Sequence, residues 1–569
     1  MTPAVMVLVA LCMYVFGYRV YARFLAERVY GLDADAATPA HTMRDDVDYL
    51  PTKPSVLFGH HFASITGLAP MLGPAVAVIW GWGPAFLWVV FGAIFVGCVH
   101  DFSAMVLSVR HGGMSVGQVA SSLIGPRGRT WFHLIIFFGI ALAMGVFVFI
   151  ISRLFAIELA PGTPGHPEAV MPSMALMVIA MSSGVLMHKK GVGLLPIALI
   201  GFTLELLTIW VSMQAPTMGI DPASWPVPGT WTIVLLVYAF AASVLPVWAL
   251  LQARDFLNGL LLYLGVGLAY LGLFVLQPSF DAPMFQAHPE GAPAILPTVF
   301  IVVACGAASG FHGLVSSGTT AKQLDKETDA RPIGYGAMIG ESLLALLAIL
   351  ACTAGVGSSE AWHVHYGDWN SVQELPVKID LFISGTTSFL VGLGIPEAFG
   401  SALIAMVVVS FALTTLDSAT RLLRFNIEEI AASAGVGFLQ HRYISSALAC
   451  LVIGVFAFYK VDVQIGGAMV QKPAGLALWQ LFGTTNQILG ALTLGLASLY
   501  LKRRGSMVWP TLIPCLFLLG STVVAMVLNL MRMKDPLVFG VGLVLFVLAL
   551  GVIVEGVLAL RSDLKARAA

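Results

Sequence analysis

The sequence predicts an all-α polytopic membrane protein, and three observations lead to that class. First, 58% of its 569 residues are hydrophobic and 10% are charged, which leaves too little polar surface for a water-soluble protein. Second, the apolar residues form runs of about 17 to 25, the length of a membrane-crossing helix, and not the alternating ten-residue segments of a barrel. Third, Lys and Arg fall mostly in every second loop between these runs.

Fifteen candidate spans can be placed along the chain, and each can satisfy its backbone hydrogen bonds internally. They lie at about 3–22, 56–79, 84–109, 132–154, 169–187, 192–213, 231–251, 256–276, 295–318, 335–357, 396–422, 443–460, 476–501, 508–531 and 536–560. Residues 382–393 are too short to span comfortably, so we interpret them as an interfacial or re-entrant segment.

The basic residues predict how the spans are oriented. With fifteen spans, 23 of the 29 Lys and Arg residues fall on one side of the membrane and 6 on the other. Lys and Arg accumulate in short cytoplasmic loops, so this bias predicts an N-terminus outside and a C-terminus in the cytoplasm.

The chain carries no sequence motif of the common membrane enzymes and pumps. GxxxxGK[ST] and HExxH are both absent, and the longest polar intervals, 23–55 and 358–395, are too short for a catalytic domain. The six cysteines lack CxxC spacing, and a net charge of −1 argues against a nucleic-acid partner. We expect a secondary transporter, a channel or a receptor, with no enzyme activity, no cofactor and no bound metal.

The spans also suggest an internal repeat. Spans two to six and seven to eleven form two groups of five, and because five is odd, the second group enters the membrane from the opposite side. Inverted repeats of this kind are typical of secondary transporters. The predicted units are an N-terminal helix and loop (1–55), a first repeat (56–214), a second repeat (231–424) and the C-terminal helices (440–569).

In such repeats the first helix of each half is interrupted near the middle of the membrane, where unwound backbone can bind a ligand. The first candidate contains Gly67 and Pro70, and the second contains Pro246. A third interrupted stretch, 304–324, is rich in hydroxyl groups, which are those of Ser309, Ser316, Ser317, Thr319 and Thr320. Hydroxyls and freed carbonyls suit Na⁺ or a polar substrate, and they equally suit close packing of helices.

Two histidines, His60 and His61, stand side by side in an apolar run. Neighbouring side chains on a helix point about 100° apart, so only one can face a central cavity unless the backbone unwinds. An imidazole there could gain a proton, bind a carboxylate substrate and release both; the alternative is packing between helices. A zinc site is disfavoured because the helix offers no ligand one turn away.

Four carboxylates lie inside predicted spans, where a charge is costly; they are Asp101, Glu205, Glu341 and Asp417. Glu205 and Glu341 have no cation within one helical turn and are candidate proton sites, with a protonated structural carboxyl as the alternative. Asp417 stands four residues before Arg421, which predicts an ion pair along the helix.

Two further polar positions lie close to these elements. His312 belongs to the hydroxyl-rich stretch and is a candidate for the same cavity. Arg254 and Asp255 sit at the predicted cytoplasmic end of the seventh span, where they form either a gate or an interfacial anchor.

Several long motifs in a fixed order resemble the carbon starvation protein A (CstA) family. They are FGHHFASITGLAPMLGPA at 58–75, HDF at 100–102, PVWALLQARDF at 246–256, SGFHGLVSSGTTAKQLDKETDARPIGYGAMIGES at 309–342, FALTTLDSATRL at 411–422 and LFGTTNQ at 481–487. The resemblance covers about residues 50–505. The chain departs from the family by being shorter than many members and by having Gln252 and Ala253 where a proline is expected.

The resemblance implies a fold and a function. The fold is the leucine-transporter-like 5+5 inverted repeat of the amino acid–polyamine–organocation (APC) superfamily, with one extra N-terminal and about four extra C-terminal helices. The function is import of pyruvate by proton symport, or of peptides, under carbon starvation across a bacterial cytoplasmic (inner) membrane. A nutrient receptor without net transport and a downhill channel are the competing classes.

These patterns together give an expected set of site residues. Expected substrate-binding residues are His60, His61, Gly67, Pro70, Pro246, His312, Ser316 and Ser317. Expected coupling residues are His60, His61, Glu205, Glu341, Asp101, Thr319 and Thr320, with the proton as coupling ion and sodium as the alternative. The expected partners are a small carboxylate or a short peptide and the membrane lipid.

Overall fold

A computed structural model describes residues 2–568 except residues 47, 247–249, 373, 466–467 and 534. Helices make up most of this part of the chain, and strands occur in it only as two short antiparallel hairpins, β1 (Glu158–Ala160) with β2 (Thr163–Pro164) and β3 (Lys460–Ile465) with β4 (Ala468–Pro473). The predicted all-α class is therefore confirmed.

The helices follow one another in three groups along the chain. The first group is α1 (Pro3–Phe16), α2 (Ala22–Phe24), α3 (Pro39–Thr42), α4 (Pro54–Ile65), α5 (Ala69–Ala77), α6 (Trp82–Leu87), α7 (Cys98–Arg110) and α8 (Val116–Leu154). The second is α9 (Val170–Lys190), α10 (Leu194–Gln214), α11 (Pro228–Val244), α12 (Leu251–Leu276), α13 (Ile295–Val302), α14 (Gly310–Gly318), α15 (Gly336–Ala354), α16 (Ser359–Tyr366) and α17 (Trp369–Val372). The third is α18 (Leu375–Val391), α19 (Glu397–Ala434), α20 (Arg442–Phe458), α21 (Ala474–Arg503), α22 (Trp509–Arg532) and α23 (Pro536–Ala568).

Most predicted spans correspond to helices that can cross a membrane. Among the described residues, ten helices are long and apolar enough, and eleven if the bent pair α4–α5 counts as one span. These eleven coincide with eleven of the fifteen predicted spans. The other four fall on α11, on α13 with α14, on α20 and on α21, and their crossing stays a prediction. Residues 247–249 of the seventh predicted span lie outside the described residues.

The segment expected to be re-entrant is part of a longer helix. Residues 382–391 form the second half of α18, a continuous helix of 17 residues that packs against α12, α15 and α19. This helix is not among those long and apolar enough to cross a membrane, so the interfacial or re-entrant interpretation stays a prediction. Lys378 in its first half is buried, and its Nζ donates to the His365 carbonyl at 2.7 Å.

Two of the three predicted interruptions are present. Helices α4 and α5 meet at a bend of 48° around Gly67, and Pro70 lies in the first turn of α5, where its missing N–H costs no helical hydrogen bond. Residues 303–309 separate α13 from α14, with Gly306 at a φ of +87°. Pro246 instead lies between α11 and α12, because proline disfavours helix at the preceding residue and Leu245 is extended.

The loops assigned to the same side by the charge alternation meet at the same end of the bundle. At the end rich in Lys and Arg, which we call the basic face, Arg110 Nε donates to Glu327 Oε1 at 2.6 Å. At the opposite face, His166 Nε2 lies 3.2 Å from Asp380 Oδ1. Each contact joins two loops that are separated by an even number of predicted spans and so lie on the same side of the membrane. The contacts therefore agree with the predicted alternation of basic and non-basic loops.

The order of elements recurs along the chain. The interrupted pair α4–α5 is followed by a helix containing the π-helical segment Trp88–Gly97 and then by α8, which is kinked at Gly125 (φ +89°) and continues from Pro126 to Leu154. The interrupted pair α13–α14 is followed by the π-helical segment Arg331–Tyr335, by α15 and, after α16 to α18, by α19, of 38 residues. The first series starts beside the basic face and the second beside the opposite face.

Candidate transport site

The two adjacent histidines of α4 reach different partners. His60 Nδ1 lies 2.6 Å from Asp255 Oδ2 on α12, and His61 Nδ1 lies 2.9 Å from Thr320 Oγ1 just after α14. The helix continues unbroken to Ile65, so the two rings diverge as neighbours on a helix must. Both rings are buried, and neither Nε2 has a hydrogen-bond partner among the described residues.

The first polar group, which we call the Arg254 cluster, consists of His60, Ser64, Tyr238, Arg254, Asp255, Asn258 and Asp417. At its centre Arg254 Nη1 contacts Asp417 Oδ2 and donates to the Tyr238 hydroxyl at 2.6 Å. The Tyr238 hydroxyl donates in turn to Asp417. Arg254 and Asp417 are both fully buried, so the ion pair joins α12 to α19 inside the bundle.

One expectation about this region is wrong. Asp417 pairs with Arg254 and not with Arg421, whose Nη2 donates to the carbonyls of Ala242, at 2.8 Å, and Leu245. Arg421 takes these partners because α11 ends there, which leaves its last carbonyls without helical donors. Arg254, expected as either a gate or an interfacial anchor, is fully buried, which disfavours the anchor; the gate stays a prediction.

Glu205, on α10, is fully buried. Within the part of the chain that the structure describes, neither carboxyl oxygen has a hydrogen-bond partner and no ion pair involves it. The sequence predicts no cation within one helical turn of Glu205. Among the described residues, no other helix supplies an ion-pair partner to it either. Its role as a proton site stays a prediction.

The second polar group, which we call the His312 cluster, joins α7, α14 and α15. Asp101 accepts a hydrogen bond from Nδ1 of His100 and another from Nδ1 of His312, both at 2.8 Å. His312 Nε2 lies 3.1 Å from Glu341 Oε2. Asp101, His312 and Glu341, which the sequence marks in three separate segments, thus lie together, all fully buried.

A cysteine joins this cluster, which the sequence did not indicate. One ligand atom each from Cys305, His312 and Glu341 lies within 4.8 Å of the other two, an arrangement able to hold a metal ion. Cys305 comes from the turn between α13 and α14, so the cluster borders that interruption. The signal in the sequence that could have suggested Cys305 is its position within the interrupted stretch 304–324.

The hydroxyl groups of α14 are used mainly within the fold. Ser317 Oγ donates to the Gly313 carbonyl at 2.7 Å, and Thr319 Oγ1 donates to the Val315 carbonyl at 3.0 Å. Ser316 Oγ is buried with no hydrogen-bond partner among the described residues. This pattern favours helix packing over a hydroxyl-lined sodium site at Ser317 and Thr319.

A cavity of about 340 Å³ opens among α8, α14 and α19 at the basic face. Ser317 is the one expected site residue on its wall; Lys322, His133 and Glu429 also line it. The Lys322 ammonium lies over two aromatic rings, 5.3 Å from the centre of Tyr49 and 5.4 Å from that of Phe425. Sequence reasoning placed Lys322 only in a loop, because nothing in the sequence shows which rings approach it.

A buried ion pair between α12 and α19, and a buried polar cluster beside the interruption between α13 and α14, lie in a bundle of at least ten helices long and apolar enough to cross a membrane. These are the features of a polytopic membrane protein with intramembrane polar sites. Residues 2–363 and 369–525 match the family model described as "Carbon starvation protein CstA". The chain belongs to the CstA family, as its motifs predicted.

Curated relatives agree with this assignment. The peptide transporter CstA of Campylobacter jejuni is 31% identical, over 93% of this chain and 80% of that protein. The pyruvate/proton symporter BtsT of Escherichia coli is 32% identical, over 92% of this chain and 81% of that protein. Among solved structures, MhsT in complex with L-phenylalanine is 13% identical with a TM-score of 0.43, over 90% of this chain and 99% of that one. The protein is a transmembrane transporter of the CstA family.

Proposed function

We propose that this protein is a secondary active importer of a small carboxylate, with pyruvate as the first candidate, and that protons drive it. The supporting observation is the buried contact of 2.6 Å between His60 Nδ1 and Asp255 Oδ2, in the middle of α4, the first helix of an interrupted pair. One relative is named a pyruvate/proton symporter, while others are named peptide transporters, so a short peptide is the second candidate.

The geometry supports a coupling step at His60. When the ring is protonated, Nδ1–H is held by Asp255, and Nε2–H, which has no other partner among the described residues, can donate to a substrate carboxylate. When the proton leaves, Nε2 becomes an acceptor and no longer binds an anion. Substrate and proton would therefore bind and leave together.

The cavity at the basic face supports a direction for release. We propose that this face is cytoplasmic and that the protein lies in the cytoplasmic membrane with its N-terminus outside, as the charge bias predicts. Lys322 would then offer a leaving carboxylate a cation already held between two rings.

Uptake into proteoliposomes tests this function. Labelled pyruvate should accumulate under an inward proton gradient, with sodium varied independently and a dipeptide as competitor. His60→Gln should abolish accumulation, whereas His61→Gln, a matched change at the next residue whose Nδ1 bonds only a threonine hydroxyl, should retain most of it.

Three outcomes would contradict the proposal. Full accumulation by His60→Gln would show that the coupling proton does not bind at this histidine. Accumulation of the dipeptide but not of pyruvate would make a short peptide the substrate. Saturable pyruvate binding without accumulation under any gradient would indicate a receptor.

A further inference from the structure

A thiol, an imidazole and a carboxylate meet beside the interruption between α13 and α14. Cys305 contributes Sγ, His312 a ring nitrogen and Glu341 a carboxylate oxygen, all within 4.8 Å of one another and all buried. We propose that these three side chains bind one divalent metal ion of borderline softness, of which Zn²⁺ is the type. This inference does not depend on the proposed function, because it concerns binding alone.

Asp101 orients the imidazole for such a role. Its Oδ2 accepts from His312 Nδ1 at 2.8 Å, which leaves Nε2 directed at Glu341 Oε2, 3.1 Å away. In metal centres the ligating histidine commonly donates its other ring N–H to a carboxylate in this way, which fixes both the tautomer and the ring orientation. His312 Nε2 has no hydrogen-bond partner among the described residues and so keeps its lone pair available.

The sulfur is likewise held by polar neighbours. Asn486 Nδ2 lies 3.3 Å from Cys305 Sγ and can donate to it, while the Cys305 thiol donates to Ser309 Oγ at 3.2 Å. A donor such as the Asn486 amide stabilises a metal-bound thiolate. Cys305 lies outside a helix, in the turn after α13, so its position can adjust to an ion without disturbing helical hydrogen bonds.

The ligand set indicates the class of metal. A thiolate with an imidazole favours Zn²⁺ and similar transition metals, whereas Na⁺, Mg²⁺ and Ca²⁺ prefer oxygen ligands. Three protein ligands leave a fourth tetrahedral position open. The two positive charges of the ion would compensate the negative charges of the Cys305 thiolate and Glu341, while the Asp101 carboxylate keeps its hydrogen bonds from His100 and His312.

Cobalt binding to the purified full-length protein tests this site, because Co²⁺ replaces Zn²⁺ and gives a thiolate-to-cobalt charge-transfer band. We expect one Co²⁺ per chain, displaced by Zn²⁺. Cys305→Ser should abolish the band, and Cys450→Ser, the same change at a comparably buried cysteine on α20, should leave it unchanged. Asp101→Asn should keep the band but weaken affinity by about 10- to 100-fold, since only the orientation of His312 changes.

Two results would overturn the site. One is the absence of a thiolate band from the native protein at saturating Co²⁺. The other is an unchanged band in Cys305→Ser. If that variant does not elute as a folded protein, Glu341→Gln decides in its place, because native affinity for Co²⁺ without the carboxylate would equally exclude the proposed ligand set.

Discussion

Arg254 is a guanidinium enclosed by the bundle, and its surroundings set what its removal would cost. Asp417 and Tyr238 both contact it, and no part of either charged side chain reaches the surface. The free energy gained by such a pair over an apolar one is small, because both charges lose their hydration. Removing one member alone is costly, since it leaves the other charge buried without compensation.

Arg254→Ala should therefore lower the free energy of unfolding by about 3–5 kcal/mol. A matched control is Arg23→Ala, which removes an exposed ion pair with Glu27 one helical turn away. It should lower the free energy of unfolding by less than about 1 kcal/mol. Thermal unfolding of both variants in detergent measures the difference. Equal, small shifts would show that solvent reaches the Arg254 cluster.

At this scale the sequence predicted residues but not their partners. Asp101, Glu341 and His312 could be selected because polar side chains inside a membrane are costly and therefore seldom incidental. Their contact could not be predicted, because Asp101 and His312 are 211 positions apart in the chain. Asp417 illustrates the same limit. Arg421 lies one helical turn away in the sequence, but Asp417 pairs with Arg254, which is distant in the chain.

At the scale of elements, the two interrupted helices touch at a glycine. A Cβ on Gly73 of α5 would lie 2.4 Å from the carbonyl oxygen of Val302, the last residue of α13. The backbones can approach this closely only because Gly73 has no side chain. The position of one interruption thus depends directly on the other.

Gly73→Ala should force α5 and α13 apart and destabilise the protein by about 1–3 kcal/mol, the usual cost of overpacking. The control is Gly520→Ala on α22, where an added Cβ meets no atom within 4 Å and little change is expected. Thermal midpoints in detergent compare the two. Equal midpoints would mean that the contact relaxes without cost.

Hydropathy located the long helices well and the interrupted ones less well. The length of an apolar run can be read directly from the sequence. By contrast, α18 has a buried lysine near its start and α11 ends before a proline, and both features depend on packing. The start of the second repeat at residue 231 stays a prediction.

At the scale of the whole molecule, one histidine links distant parts of the face opposite the basic one. His166, between α8 and α9, lies 3.0 Å from Glu168 and 3.2 Å from Asp380 on α18. Burial opposes a charge on the ring, but hydrogen bonds to Asp380 and Glu168 outweigh it and raise the pKa of His166 from 6.5 to about 9.

The stability that this link contributes should depend on pH. Because the folded pKa is raised, the contribution is complete below about 6.5 and is lost as the pH rises through about 9; it amounts to at most about 3 kcal/mol. His166→Gln should therefore lower the thermal midpoint at pH 6 and leave it nearly unchanged at pH 10. The exposed His363→Gln serves as control, and an equal loss at both pH values would contradict the ionic link.

The divergence of His60 and His61 restricts how this chain can vary in length. A single residue inserted between Pro54 and His60 would turn the following part of α4 by about 100° and advance it by about 1.5 Å. His60 would then occupy the place of His61 beside Thr320, and Asp255 would lose its imidazole, although no polar residue had been replaced. Residues 54–59 can therefore differ in composition between functional relatives, whereas insertions and deletions there would be eliminated.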